Sequence, residues 1–137
     1  MTIFSHLLDT SVFSQPIKDH PRESVLDRWS GLREEKLCTS AICLAEMLQG
    51  LRYRDSAKYW RRYRELLEDR YQVLPFDAAA AETFSLLAAE LRQRGTPRPV
   101  VDLMIAATAL RRGLILATLN TRDFTGIPGL RIEDWNR

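Results

Sequence analysis

Four acidic residues, Asp9, Glu46, Asp102 and Asp123, each lie beside a short apolar run or within an apolar helical pattern. A carboxylate so placed is costly to bury unless it is hydrogen-bonded or set against a cation. Gathered together, the four would suit a hard divalent ion: Mg²⁺ takes oxygen ligands, keeps several waters and is typically held by one or two direct carboxylates. Such an ion lowers the pKa of a water it binds and offsets charge developing on a phosphodiester, so the chemistry within reach is metal-assisted hydrolysis, with no histidine required. Without a cation the four would repel and at least one would take up a proton. Asp102 taken alone is an ordinary first-turn helix acid, favoured by the macrodipole. The spacing of the four carries no local motif, so only the fold can bring them together.

Other chemistries are poorly served. Cys38 and Cys43 stand in a C-x4-C spacing with no second pair, and His6 and His20 lie far from them, which is not a zinc site. Reduced, buried thiols of a cytoplasmic protein are the simpler reading. With 20 basic and 18 acidic residues the net charge of +2 is too balanced to imply nucleic acid by itself. No apolar run reaches membrane-spanning length and no leader pattern opens the chain, so a soluble, cytoplasmic protein without a membrane partner is expected.

The elements that must position the acids follow from apolar patterning. Short apolar runs at 3–8 (IFSHLL), 37–42 (LCTSAI), 73–76 (VLPF) and 114–119 read as buried strands, with a last short edge strand at 130–132. Between them the spacing predicts an irregular helix over 16–35, a helix over 43–52, one long helix over 55–71, an alanine-rich helix capped by Asp77 and running to Gly95, and a helix from Pro99 that ends at Gly113. The buried stripe of the 55–71 helix is traced through Ala57, Trp60, Tyr63 or Arg64, Leu67 and Tyr71. Alternating strands and helices imply a single α/β domain over 1–137, with a central, mostly parallel sheet of four to five short strands and helices on both faces. Ligands of such sheets bind beyond the carboxyl ends of the strands. Asp9 ends the first strand, Glu46 lies one turn into the helix after the second, Asp102 opens the helix before the fourth, and Asp123 follows it.

Two basic clusters bear on partners. Arg52, Arg54, Lys58, Arg61, Arg62 and Arg64 face Asp55 alone, with Tyr53, Tyr59, Trp60 and Tyr63 interleaved. That stretch suits an RNA backbone, a protein partner, or a solvated helix face whose aromatics pack on the core. Arg92, Arg94 and Arg98 crowd the approach to Asp102, as a phosphate-positioning rim or as surface charge.

Five blocks, LLDTSVF at 7–13, TSAICLAEMLQG at 39–50, VLPFD at 73–77, VVDLMIAATALRRG at 100–113 and TLNTRDFTGIPGL at 118–130, together resemble the PIN domain, and most closely the VapC-type toxins of bacterial toxin-antitoxin pairs. The resemblance covers nearly the whole chain and implies a PIN-like three-layer sandwich. It implies that Asp9, Glu46, Asp102 and Asp123 are the acidic metal-binding quartet, with Thr118 and Asn120 near it as polar support; Thr118 or Ser11 is then placed to orient a water or phosphate. It also implies an Mg²⁺- or Mn²⁺-dependent ribonuclease, usually a homodimer, silenced by a small VapB-like antitoxin whose other end binds operator DNA. A catalytically silent PIN-like module that binds RNA or protein is the alternative. A DNA-binding regulator lacks a compact helix-turn-helix pattern. Two departures from the family pattern are visible: Ser5 and His6 are polar for its first strand, and TPRPV places Arg98 where a small or apolar residue is more usual.

Overall fold

The computed structural model describes residues 3–137. Five strands, β1 (His6–Leu8), β2 (Leu37–Ser40), β3 (Gln72–Leu74), β4 (Ile115–Thr118) and β5 (Ile132–Asp134), form one sheet in the order β3-β2-β1-β4-β5, every pair parallel. Successive side chains of a strand point to opposite faces, and both faces here are apolar. Leu7, Cys38 and Leu116 face one core layer, whereas Leu8, Leu37 and Ala117 face the other. Against the first layer pack α5 (Ala78–Gln93) and α6 (Val100–Arg112); against the second pack α1 (Thr10–Phe13), α2 (Glu23–Ser30) and α4 (Ala57–Leu66). The helix α3 (Ala41–Arg54) contributes Cys43 to the first and Met47 and Leu51 to the second. A one-turn helix, α7 (Thr121–Phe124), follows β4. The result is the three-layer arrangement expected from the alternation.

Local chemistry sets most boundaries. The Ser40 hydroxyl accepts the Cys43 amide at 3.0 Å and caps α3, so β2 stops at Ser40 rather than running to 42. Asp77 caps α5 by accepting the Ala80 amide at 2.9 Å. In α6, Ala106, Ala107 and Ala109 are fully buried, and their small side chains let the helix lie close on the sheet. It ends at Gly113, whose left-handed φ of 67° a residue with a Cβ rarely adopts. No helix among the described residues is long and apolar enough to cross a membrane.

Three expectations are corrected. The helix of the 55–71 stretch is shorter than expected: α3 extends to Arg54, Asp55 stands in the left-handed region at φ 49°, and α4 covers only Ala57–Leu66. Of its expected stripe Tyr63 and Leu67 are buried, but Tyr59, four residues before Tyr63, takes the buried place expected of Trp60, and Ala57 is exposed. The 16–35 segment holds only α2, flanked by 3-10 turns at Gln15–Ile17 and Glu34–Lys36. The last strand falls at Ile132–Asp134, not 130–132; Leu130 is held instead in a turn by its amide bond to the Ile127 carbonyl.

The thiols of Cys38 and Cys43 are free and buried, pushed up by burial to about 12 and about 11. They are protonated and inert at neutral pH.

Candidate active site

In the sheet order, β1 is followed in sequence by β2 and β3 on one side, and the chain then crosses to β4 and β5 on the other. The reversal leaves a crevice beyond the carboxyl ends of β1 and β4, the place where α/β sheets bind ligands. Asp9, Glu46, Asp102 and Asp123 all line one cleft of about 300 Å³ there, together with Thr10, Ser11, Ser14, Ile105, Asn120 and Phe124.

Asp9 follows β1 directly, and its amide bonds the Ala117 carbonyl of β4 at 2.9 Å, so the strand pairing fixes its backbone. The residue is 5% exposed, and its carboxylate accepts the Thr118 hydroxyl at 2.7 Å and the Ser11 hydroxyl at 3.0 Å. Thr118 Oγ1 in turn accepts the Asn120 amide at 3.0 Å, and Ser11 Oγ accepts the Leu119 amide at 3.1 Å. Ser11 and Thr118, expected to orient water or phosphate, therefore hold Asp9 and close the turn after β4. Glu46 is exposed on α3 and accepts the Thr10 hydroxyl at 2.6 Å. Thr10 is a contact that the spacing did not single out; its position in the polar turn after the first strand was the available signal.

Burial raises the pKa of Asp9 above the usual aspartate range, against the lowering effect of its Thr118 and Ser11 hydrogen bonds. Asp102, in the first turn of α6, is also raised, first by burial and then by the charges of Asp123, Asp9 and Glu46. Two carboxylates held above their ordinary range in one cleft are the electrostatic signature of a site that favours positive charge.

Among the described residues, no group of three or more His, Cys, Asp or Glu side chains is drawn together closely enough to hold a metal ion directly. The donors are nevertheless all oxygen, with no soft ligand among the cleft residues, which fits Mg²⁺ or Mn²⁺ binding through one or two carboxylates and bridging waters.

The PIN domain family model matches residues 6–130. The chain belongs to the PIN-domain family. Among its relatives is the tRNA(fMet)-specific endonuclease VapC of Shigella flexneri, 38% identical over 130 residues, covering 95% of this chain and 97% of that protein. The DNA-bound VapBC structure from Salmonella typhimurium superposes with a TM-score of 0.82 at 37% identity, covering 96% of this chain and 98% of that one. The FitAcB structure from Neisseria gonorrhoeae gives 0.86 at 27% identity, covering 95% and 97%. This PIN domain is accordingly of the VapC type.

The basic stretch of the PIN domain is divided by its fold. Tyr59 donates its hydroxyl to Asp19 at 2.6 Å, Arg62 donates to Asp19 at 2.8 Å and to the Ile17 carbonyl at 3.0 Å, and Lys58 pairs with Asp19 at 3.0 Å. Arg54 lies over the Tyr59 ring, 4.2 Å from its centroid. These contacts hold the Asp19 carboxyl well below the usual range, with Tyr59 the largest cause. Lys58 and Arg62 thus tie the segment after α1 to α4, Arg54 packs on Tyr59, and Arg52 and Arg64 flank Trp60, at 5.3 and 5.5 Å from the ring centroid.

Proposed function

We propose that this PIN domain, acting as one unit over 1–137, is the ribonuclease toxin of a toxin-antitoxin pair and hydrolyses RNA phosphodiesters with Mg²⁺ or Mn²⁺. The observation that carries the reading is the convergence of Asp9, Glu46, Asp102 and Asp123 on one cleft at the sheet's crossover, with Asp9 and Asp102 raised in pKa. Asp9 and Asp102 are the proposed direct ligands, since burial makes their charge the most in need of a cation; Glu46 and Asp123 act through water. A bound ion supplies a polarised water and offsets charge on the phosphodiester. Thr118 and Ser11 keep Asp9 aimed into the cleft, and Thr10 does the same for Glu46.

The relatives' titles name endonuclease and VapBC assemblies, and a VapB-like antitoxin and an RNA substrate are the corresponding partners proposed here, with the domain a homodimer. An antitoxin silencing an acidic cleft would present an arginine or lysine to it. Beside the cleft, and sharing Thr10, Ser14 and Glu46 with it, lies a groove of about 250 Å³ lined by Ile17, Met47, Leu51 and Tyr59, which suits an apolar segment of the same partner. The direct test is incubation of the purified protein with structured RNA and Mg²⁺ or Mn²⁺, with and without EDTA. Cleavage that EDTA abolishes supports the reading; cleavage untouched by EDTA, or none with either metal, removes it.

Stability should carry the same signature. A raised aspartate binds its proton more tightly in the folded than in the unfolded state, so its contribution is intact at low pH and is lost as pH rises from about 3.8 through the raised value. The lowered Asp19 works in the opposite sense, adding stability above about 3.8 that is lost as pH falls. Mg²⁺ separates them, because only the cleft acids bind it. In denaturant unfolding the stabilisation by Mg²⁺ should therefore grow from pH 4 to 7, and a pH-independent increment would contradict the assignment.

A further inference from the structure

The arginine that departs from the family pattern is not part of an open phosphate rim. Arg98 is half-buried, and its guanidinium donates to three carbonyls at the end of α7: from Nη1 to Asp123 O at 2.8 Å and Arg122 O at 3.4 Å, and from Nη2 to Thr125 O. Prolines on both sides stiffen its backbone: Pro97 and Pro99 have fixed φ, and each keeps the residue before it out of the helical region. Pro99 sits at φ −55° and ψ 143°, so the side chain leaves an extended, rigid segment just before α6.

The receiving side is shaped to match. Gly126 has φ 88°, and a Cβ added there would stand 3.2 Å from Arg98 Nη2, so the missing side chain leaves the guanidinium room. A helix of four residues cannot hold itself together, and its last carbonyls lack partners within the helix. A planar, permanently charged fork spanning several carbonyls supplies both the bonds and the positive charge that this helix end lacks.

We infer that Arg98 is a positioning residue: it clips α7, which carries Asp123, to the first turn of α6, which carries Asp102, and so sets how tightly this pair of acids binds a divalent cation. The inference rests on the metal-site reading above, but the clip itself can be measured without it. Arg98→Ala should weaken Mn²⁺ binding by calorimetry roughly tenfold, the size seen when partners that orient metal ligands are removed. The Mg²⁺ needed for half-maximal cleavage should rise in step while the rate at saturating metal stays near wild type. Arg98→Lys keeps the charge but cannot span the carbonyls, and should fall between.

Unchanged Mn²⁺ affinity in Arg98→Ala overturns the proposal. That holds whether the variant instead loses RNA affinity and salt dependence, as a phosphate contact would, or simply melts earlier with proportionate loss of activity. If the wild-type protein binds no Mn²⁺ and cuts no RNA, the metal-site reading fails. The clip is then judged by amide exchange over 121–126: faster exchange in Arg98→Ala sustains it, and unchanged exchange overturns it.

Discussion

Asp102→Asn is expected to reduce metal-dependent RNA cleavage by about a thousandfold or more while leaving a folded and more stable metal-free protein. The size follows from the chemistry: metal-based charge stabilisation is worth several kcal/mol, and about 4 kcal/mol is roughly a thousandfold in rate. The substitution removes charge but almost no volume, so the packing of α6 is preserved. Its effect on stability is a contest. A negative charge in the first turn of a helix gains about 0.3–1 kcal/mol from the macrodipole, and asparagine forfeits it. Against this, Asp102 is raised by burial and by Asp123, Asp9 and Glu46. That direction means that ionisation is disfavoured on balance, so a neutral isostere gains. Denaturant midpoints in EDTA should therefore rise for the variant at pH 7, and the gain should vanish below the ordinary aspartate range. A variant that cuts RNA at the wild-type rate in Mg²⁺ would remove Asp102 from the site; one less stable than wild type in EDTA would mean that the repulsion among the four acids is not felt.

Alternation of apolar runs with helical patterns made the architecture legible, because a sheet buried on both faces leaves few choices for short runs such as Leu7–Leu8 and Leu116–Ala117. The convergence of the four acids was legible only through topology, since each sits at a strand end or first helical turns and the crossover rule does the rest. Asp55 and Arg98 mark where reading from sequence failed. The expected break between the two helices falls at 53–54, whereas α3 runs on to Arg54 and the chain turns at Asp55, because nothing in its local pattern announces a left-handed residue at φ 49°. The stripe traced through Trp60 to Tyr63 and Leu67 left out Tyr59, and with it the use of Arg54, Lys58 and Arg62 around Asp19 and Tyr59. Arg98 looked like a free cation because its partners are backbone carbonyls, which no side-chain pattern encodes.

Trp135→Ala should be the most destabilising single substitution tested here, at about 3–5 kcal/mol, the usual cost of emptying a large aromatic site. Trp135 is fully buried although only two residues follow it in the sequence. Its ring lies 6.4 Å from that of Trp29 and 6.2 Å from that of His6, the Arg28 guanidinium stands 5.9 Å from its centroid, and its indole N–H donates to Glu133 at 2.9 Å. The segment also braces the site, since the Trp135 amide donates to the Thr118 carbonyl at 3.1 Å and the Asn136 side chain to the Leu119 carbonyl at 2.9 Å. Against a total stability of about 5–15 kcal/mol, such a loss brings a domain of this size close to unfolding at growth temperature. Trp135→Phe keeps most of the packing and removes the indole donor. Glu133 still has Arg28 and His6 as partners, so the lost hydrogen bond itself should cost only about 1 kcal/mol. Urea unfolding of the three proteins decides the matter, with cleavage per folded molecule read alongside. If Trp135→Ala unfolds at the wild-type midpoint, the chain end is not a wall of the core; if it unfolds early while its folded fraction needs no more Mg²⁺ than wild type, the brace on Thr118 and Leu119 does not reach the acids.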